Sequence, residues 1–155
     1  MKKRTSVYID RAPEHVFGYL VGLNDAGWRA PFPEMKLVSE SYEGVGATHI
    51  EVRKMLRRRI ETLAEAVIYE PDRRWAVRRA SGPVRPQVTY TLQPEGNGTR
   101  LWFAFDVPVL KSMARVLGPL VRLGAPLVER SARSDLERLK QTLERNADDR
   151  KEGIR

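Results

Sequence analysis

Three side chains in this sequence have the chemistry to move a proton or stabilise a negative charge in an enclosed site. They are Tyr90, His49 and Arg79, and each lies in a segment with the two-residue alternation of a half-buried strand. Such groups can act as acids or bases, or can stabilise an enolate, when they point into a pocket that excludes water. We therefore take these three as the candidate catalytic residues.

The motifs of several better-known catalytic and cofactor sites are missing. The sequence contains no cysteine, which excludes disulfides, thiolate catalysis and cysteine-ligated zinc. Its two histidines, His15 and His49, have no HExxH or facial-triad spacing around them. The glycines of GVGATH and GNGT fit turns better than a phosphate-binding loop, and no GxSxG elbow is present. We expect neither a metal nor a cofactor.

Basic residues are concentrated in the stretch VRKMLRRRIET, which begins at Val52, and in RRWAVRR, which begins at Arg73. With a net charge of +8, these clusters suggest one alternative, a regulatory protein that binds nucleic acid through basic hairpins. However, no aromatic residues interleave with the first run to stack on bases, and no known nucleic-acid-binding motif accompanies it. Nucleic acid is therefore disfavoured as a partner.

The same stretch predicts a hairpin whose register determines which side chains face inward. A three-residue loop, 56–58, pairs Val52 with Thr62 and Ile50 with Ala64, so that apolar and small residues share the inner face. This register places His49 opposite Glu65, and Arg53 opposite Glu61, on the outer face. A two-residue loop would mix apolar and acidic residues on one face. The predicted register thus argues against His49 as an acid or base.

The pattern along the chain predicts the elements that position these residues. RTSVYID is typical of a strand, and a short helix beginning at Pro13 and a further helical turn in 22–28 should follow it. Six more strands are expected in MKLVSESY, ATHIEVRKM, RRIETLAEAVIYE, WAVRRA, RPQVTYTLQ and TRLWFAFDV. After Pro108, apolar residues recur every three or four positions, which predicts a long helix with kinks or breaks at Pro119 and Pro126.

This order of elements predicts an α+β helix-grip fold, in which a twisted seven-stranded antiparallel sheet wraps around a long C-terminal helix. Two short helices should lie between strands 1 and 2. The length of 155 residues fits one ligand-binding domain over 1–147, with a frayed tail at 148–155. No apolar run follows MKKR and no segment has about 20 uninterrupted apolar residues, so we expect a cytoplasmic protein.

Several of these runs, in their order along the chain, resemble a known family. IDRAPEHVFGYL, GVGATHIEV, YEPDRRWAVR, YTLQPEGNGTRLWF and LERLKQTLE resemble the START-like polyketide cyclase/dehydrase group of the SRPBCC (birch-pollen-allergen-like) superfamily. The resemblance implies the same seven-stranded sheet and long helix, with a hydrophobic ligand cavity between them. That family includes aromatase/cyclases, lipid- and quinone-binding proteins and plant hormone receptors. It has no universal catalytic motif, so the resemblance assigns no catalytic residue.

A cavity is also expected from the residues themselves, because small inward side chains on the fourth strand face a helix that contains glycine. The predicted lining is aromatic, apolar or small, and consists of Trp28, Phe32, Ile50, Thr62, Ala64, Trp75, Tyr90, Phe103, Met113, Leu117, Leu120, Gly124 and Leu127. Arg79 would project into the cavity mouth or lie on its rim. The alternative is that the aromatic residues fill the space as ordinary core.

Our first hypothesis is a noncatalytic binding or carrier protein for a small hydrophobic molecule, such as a lipid, isoprenoid, quinone or polyketide-like compound. The segment 109–128 would act as a lid. The alternative is a cyclase or dehydratase type of enzyme that uses Tyr90, His49 or Arg79. A weak contact with a membrane surface is compatible with the apolar segment, and both a monomer and a homodimer stay open.

Overall fold

The computed structural model describes residues 2–22, 34–41, 43–55, 57–80, 85–108 and 114–153. In chain order the elements are β1 (Lys2–Ile9), α1 (Pro13–Val21), β2 (Glu34–Leu37), β3 (Thr48–Met55), β4 (Arg58–Glu70), β5 (Arg74–Arg79), β6 (Gln87–Glu95), β7 (Gly98–Asp106) and α2 (Ala114–Gly153). The strands form one antiparallel sheet in the order β1-β7-β6-β5-β4-β3-β2. The prediction of an α+β helix-grip fold with seven strands is therefore confirmed.

Two elements, β2 and α2, differ in extent from the sequence prediction. β2 ends at Leu37, before the predicted end of the strand at residue 42, and the further helical turn expected in 22–28 lies outside the described residues apart from Gly22. The breaks expected at Pro119 and Pro126 do not occur, since α2 is one helix that also includes residues 148–153. Each proline removes only one N–H donor, and both lie on the exposed side, where water can bond the open carbonyls.

The β3–β4 hairpin has a different register from the predicted one. Met55 pairs with Arg58, so only two residues separate the paired ends. Val52 therefore lies opposite Glu61 instead of Thr62, and His49 lies opposite Ala64 instead of Glu65. Arg57 has a φ of 64°, the left-handed conformation that two-residue hairpin turns require. The predicted three-residue loop is wrong.

A shift of one residue in a strand pair moves every side chain to the other face, so the two faces of β3 are exchanged relative to the prediction. Ile50 pairs with Leu63, not with Ala64, and Arg53 pairs with Ile60, not with Glu61. The register of the hairpin therefore follows from the two-residue turn, and not from the expected placement of apolar and acidic residues on opposite faces.

The hydrophobic core lies between the two helices and the inner face of the sheet, defined here as the face that carries Ala64. α2 contributes its second half through Leu136, Leu139 and Leu143, whose spacing of three and four residues forms one stripe, and it packs mainly against β1. The other buried residues of the core are Val7, Ile9, Val16, Phe17, Leu20, Val21, Ala64, Ala66, Trp75, Val77, Tyr90, Leu92 and Leu101. In the segments that the structure describes, neither helix is long and apolar enough to cross a bilayer.

Polar contacts tie α2 to the end of β1. Lys140 Nζ donates to the carbonyl oxygen of Tyr8 (2.8 Å) and to Glu144 Oε1 (2.6 Å), and the backbone N–H of Asp10 donates to the same Glu144 oxygen (3.0 Å). Burial alone would raise the pKa of Glu144. The hydrogen bonds from Lys140 and Asp10, with the charge of Lys140, outweigh burial and hold this pKa below its ordinary value.

The substitution Glu144→Gln tests this attachment through the pH dependence of stability. Because the folded-state pKa is below the unfolded value, the contribution of Glu144 is present above about pH 4.3 and is lost as pH falls through the folded-state pKa. We expect a loss of about 1–2 kcal/mol in unfolding free energy at pH 7 and almost none at pH 2, measured by urea denaturation. The control Glu129→Gln removes an exposed pair with Arg133 and should change stability little. An equal loss at both pH values for Glu144→Gln would contradict the assignment.

Candidate functional site

The strand register brings two of the three candidate catalytic residues into one row on the inner face. Residues directly opposite each other in an antiparallel pair project to the same side of the sheet. Ala64, a core residue of β4, pairs with His49 on β3 and with Arg79 on β5. His49 and Arg79 therefore flank Ala64 on the inner face. The prediction that His49 faces outward is wrong, and its cause is the register shift of β3.

His49 forms a largely enclosed pair with an acidic neighbour. Glu51 lies two residues along β3, hence on the same face, and its Oε1 is 3.1 Å from His49 Nε2. The His49 side chain is 5% exposed and that of Glu51 17%. A carboxylate at this position can hold the proton on Nε2 of a neutral imidazole, which leaves the Nδ1 lone pair to accept a proton. This is the arrangement of a general base with an orienting group.

Glu51 is a functional candidate that the sequence analysis missed. The predicted register placed its neighbour His49 on the outer face, opposite Glu65, and so did not predict an acidic partner for that histidine on the inner face. The alternation His49, Glu51 along one strand was the available clue. The second histidine, His15, is exposed in the first turn of α1. Within the described ranges, no group of three acidic or imidazole side chains could hold a metal ion.

An aromatic row crosses the same face. Trp75 on β5, Tyr90 on β6 and Phe103 on β7 are register partners in succession. The rings of Trp75 and Tyr90 are stacked with centroids 5.7 Å apart, and those of Tyr90 and Phe103 meet edge to face at 5.4 Å. Trp75 and Tyr90 are buried, whereas Phe103 is half-buried. The row is therefore partly core and partly accessible at its β7 end.

Small side chains separate the aromatic row from the polar row. Ala64 and Ala66 on β4 are buried, and Ala66 pairs with Val77 on β5, between the two rows. Trp75 and Arg79 are four residues apart on β5, which corresponds to about 13 Å along a strand. The inner face thus presents aromatic rings at one end, small residues in the middle, and an arginine with an imidazole–carboxylate pair at the other end.

The predicted lining residues fall into three groups. On the inner face the structure places Thr62, Ala64, Trp75, Tyr90 and Phe103. Ile50 lies on the opposite face, and Leu127 is 69% exposed on α2, so neither lines the site in this structure. The remaining predicted residues lie outside the described part of the structure. They are Trp28, Phe32 and Met113, together with the side chains of Leu117 and Leu120 and the surroundings of Gly124.

Arg79 and Arg78 differ in direction although they are adjacent on β5. Arg79 shares the inner face with Ala64 and is exposed, which places it at the open end of the site. Arg78 faces outward and contacts Glu65 at 3.3 Å between its Nη2 and Oε1. Arg79 can therefore reach an anionic ligand group on the inner face, whereas Arg78 cannot.

The basic hairpin is partly neutralised on its own strand. Arg59 Nε lies 3.3 Å from Glu61 Oε1, and both residues are exposed. Arg57 and Arg58 are also exposed at the turn. Arg59 thus has the acidic neighbour that the sequence analysis expected for Arg53.

The chain has clear relatives by family and by fold. A family model described as "Polyketide cyclase / dehydrase and lipid transport" matches residues 2–144. No curated protein matches the chain with significance.

Three solved structures show how far the fold is shared. The protein TTHA0849 of Thermus thermophilus is 20% identical, with 92% of this chain and 97% of that chain covered and a TM-score of 0.71. The Zhui aromatase/cyclase from Streptomyces sp. R1128 is 15% identical, with 95% of each chain covered and a TM-score of 0.71. The di-domain ARO/CYC StfQ from the steffimycin biosynthetic pathway is 12% identical, with 94% and 51% covered and a TM-score of 0.75. At these identities the likeness concerns the fold alone.

Proposed function

Because the chain belongs to the polyketide cyclase/dehydrase and lipid transport family, we propose that it binds a small, largely apolar molecule that carries an anionic or hydroxyl group. The observation that supports this most directly is the shared inner face of the aromatic row and the polar row. One end of this face suits rings or hydrocarbon, and the other suits an oxygen-bearing group. A ligand about as long as the separation of the rows, roughly 13 Å, would contact both.

The apolar part of the ligand would supply most of the affinity. It would lie against the buried, small side chains of Ala64 and Ala66 and reach the half-buried ring of Phe103. Apolar burial contributes about 25 cal/mol per Å², before the entropy lost on association. Two of the structural neighbours are aromatase/cyclases, which favours a polyketide-like or quinone-like ring system over a saturated chain.

The polar row would fix the orientation of the ligand. Arg79 at the open end can donate to a carboxylate or phenolate, and such a charged hydrogen bond contributes about 1.5–3 kcal/mol. His49, deeper on the same face, can bond a hydroxyl or carbonyl oxygen. The direction of the ligand, with rings towards Trp75 and oxygen towards Arg79, follows from these two contacts.

Arginine variants test this proposal with a defined probe, 1-anilinonaphthalene-8-sulfonate, whose aromatic rings and sulfonate have the chemistry expected at the two ends of the site. We expect the wild-type protein to bind the probe and Arg79→Ala to raise its Kd about tenfold, measured by fluorescence titration. The matched control is Arg78→Ala, which removes the same charge from the opposite face and should change Kd less than twofold. Equal effects of the two substitutions, or no binding by the wild type, would overturn the proposal.

A second candidate is a cyclase or dehydratase type of enzyme, favoured by the enclosed His49–Glu51 pair. His49 would take a proton from the carbon between two ketone groups, and Arg79 would stabilise the enolate oxygen. The enolate carbon would then bond to a second carbonyl carbon, whose oxygen regains the proton before water is lost. Incubation with a linear poly-β-ketone thioester distinguishes the candidates. Aromatic product that forms with the wild type and not with His49→Gln supports an enzyme, whereas bound but unchanged substrate supports a carrier.

A further inference from the structure

The first half of α2 exposes a set of large apolar side chains. Val116, Leu123 and Leu127 are 73%, 75% and 69% exposed. At about 100° per residue, they lie within about 40° of one another around the helix axis. They therefore form a continuous apolar stripe along two to three turns. An exposed stripe of this kind marks an interaction surface more often than a chance arrangement.

Arginines follow the same stripe along one side. Arg115, Arg122 and Arg130 are exposed. At about 100° per residue, all three lie on the same side of the stripe, at angles of about 40° to 120° from Val116 around the helix axis. Pro119 and Pro126, also exposed, lie between the stripe and the two arginines Arg115 and Arg122, whereas Arg130 lies next to the stripe. The result is a basic amphipathic face, which we define by Arg115, Val116, Arg122, Leu123, Leu127 and Arg130.

Within α2, the first half of the helix has few acidic residues beside this face, in contrast to the second half. Between Ala114 and Arg130 the sequence contains one acidic residue, Glu129, and this residue contacts Arg133 at 3.2 Å. Further along α2, basic residues have acidic neighbours within one turn, as in Arg138 with Asp135 (3.2 Å) and Lys140 with Glu144 (2.6 Å). The positive charge is therefore concentrated where the apolar side chains are exposed.

We propose that the basic amphipathic face docks on an anionic lipid bilayer, with α2 lying in the plane of the interface. The leucines and the valine would enter the boundary between headgroups and acyl chains, while the arginines bind lipid phosphates. A second copy of the chain fits this face less well, since a two-fold interface would bring the same arginines together. Nucleic acid would satisfy the arginines but leave the apolar stripe in water.

Co-sedimentation of the full chain with vesicles tests the proposal. The vesicles consist of phosphatidylcholine, either alone or mixed with about one third phosphatidylserine. The ionic strength is about 0.1 M, at which the Debye length is about 10 Å. We expect at least tenfold stronger binding to the anionic vesicles. The triple variant Arg115→Gln/Arg122→Gln/Arg130→Gln should lose on the order of a hundredfold in affinity, since each arginine near such a surface contributes about fivefold.

Two further variants separate this face from the total charge of the protein. Arg57→Gln/Arg58→Gln/Arg59→Gln removes the same three charges from the hairpin and should weaken binding less than fivefold. Leu123→Gln/Leu127→Gln keeps all charges and should weaken it at least tenfold, because the apolar insertion is lost. All these side chains are exposed, so circular dichroism and the melting temperature should not change.

Three results would overturn the proposal. The first is equal loss in the two arginine triple variants, which would attribute binding to net charge. The second is no preference of the wild type for anionic vesicles. The third is a wild-type dimer that Leu123→Gln/Leu127→Gln dissociates, which would assign the face to a second copy. The test is independent of the ligand site. None of these variants should alter the Kd for 1-anilinonaphthalene-8-sulfonate at the inner-face site that contains Arg79.

Discussion

Replacing Gly98 with alanine is expected to destabilise the protein by about 3 kcal/mol, near the upper end for an overpacking substitution. Gly98 begins β7 where that strand passes the end of β1. A Cβ atom at this position would lie 2.4 Å from the carbonyl oxygen of Ile9 and 2.5 Å from Tyr8 Oη. The Ile9 oxygen belongs to the backbone at the end of the β1–β7 pair, so it can move only if the strands separate. Urea denaturation measures the loss directly.

Gly118→Ala is the matched control, because it makes the same chemical change on α2. Nothing lies within 4 Å of a Cβ built there, so alanine should be neutral or should stabilise the protein by about 0.5–1 kcal/mol. The double variant Gly98→Ala/Tyr8→Phe removes the contact with Tyr8 Oη but keeps those with the Ile9 oxygen and with the ring carbon Cζ of residue 8 (2.8 Å). It should recover less than half of the loss. Full recovery of the unfolding free energy would mean that the contact with the Tyr8 hydroxyl alone excludes a Cβ atom at position 98.

Removing the ring of Trp75 is expected to lower the unfolding free energy by about 3–5 kcal/mol, the range for a buried tryptophan replaced by alanine. Trp75 is 3% exposed and stacks on Tyr90, so Trp75→Ala leaves a cavity in the centre of the sheet. Trp102→Ala is the control. That ring faces outward from β7 and is half-buried, with the Arg4 guanidinium 3.9 Å from its centroid and its Nε1 donating to Gln93 (3.0 Å). Its loss should cost about 1 kcal/mol.

The comparison of the two tryptophans also distinguishes the two roles of the aromatic row. If Trp75→Ala costs no more than Trp102→Ala, the inner face around Trp75 relaxes easily, and Trp75 belongs to the ligand space and not to the core. If the expected difference of about 2–4 kcal/mol is observed, Trp75 and Tyr90 serve as the fixed wall of the site. In that case only the β7 end of the row, at Phe103, adapts to a ligand. Chemical denaturation of both variants provides this comparison without any knowledge of the ligand.

The sequence predicted the order of the helices and strands correctly, because local patterns determine where each of these elements forms. Proline at the first helical position predicted the start of α1 at Pro13, and two-residue alternation predicted the long strand β4. The site was harder, because it depends on a pairing between strands. One residue in a turn, Arg57 in the left-handed conformation, decides whether His49 faces the core or the solvent. Glu51 was missed for the same reason.

The continuity of α2 shows a second limit of local patterns. A proline inside a helix removes one hydrogen bond, which in a short helix would predict an end. In α2 the helix continues through Pro119 and Pro126 because both lie on the exposed side, where water can bond the open carbonyls. The pattern around each proline does not show which side of the helix faces solvent.

The position of β1 in the sheet has a consequence for how the chain folds. β1 comes first in the sequence, yet it pairs with β7, about 95 residues later, and then holds α2 through the contacts of Tyr8 and Asp10. Contacts between such distant segments form slowly, because the chain between them must be ordered first. During synthesis on the ribosome, β2 to β7 can pair in order, while β1 has no strand to join until β7 emerges. Until then the unpaired β1 and the edge of β6 that β7 will cover are open to strands of other chains, so a nascent chain that stalls before residue 106 is the form most prone to aggregate.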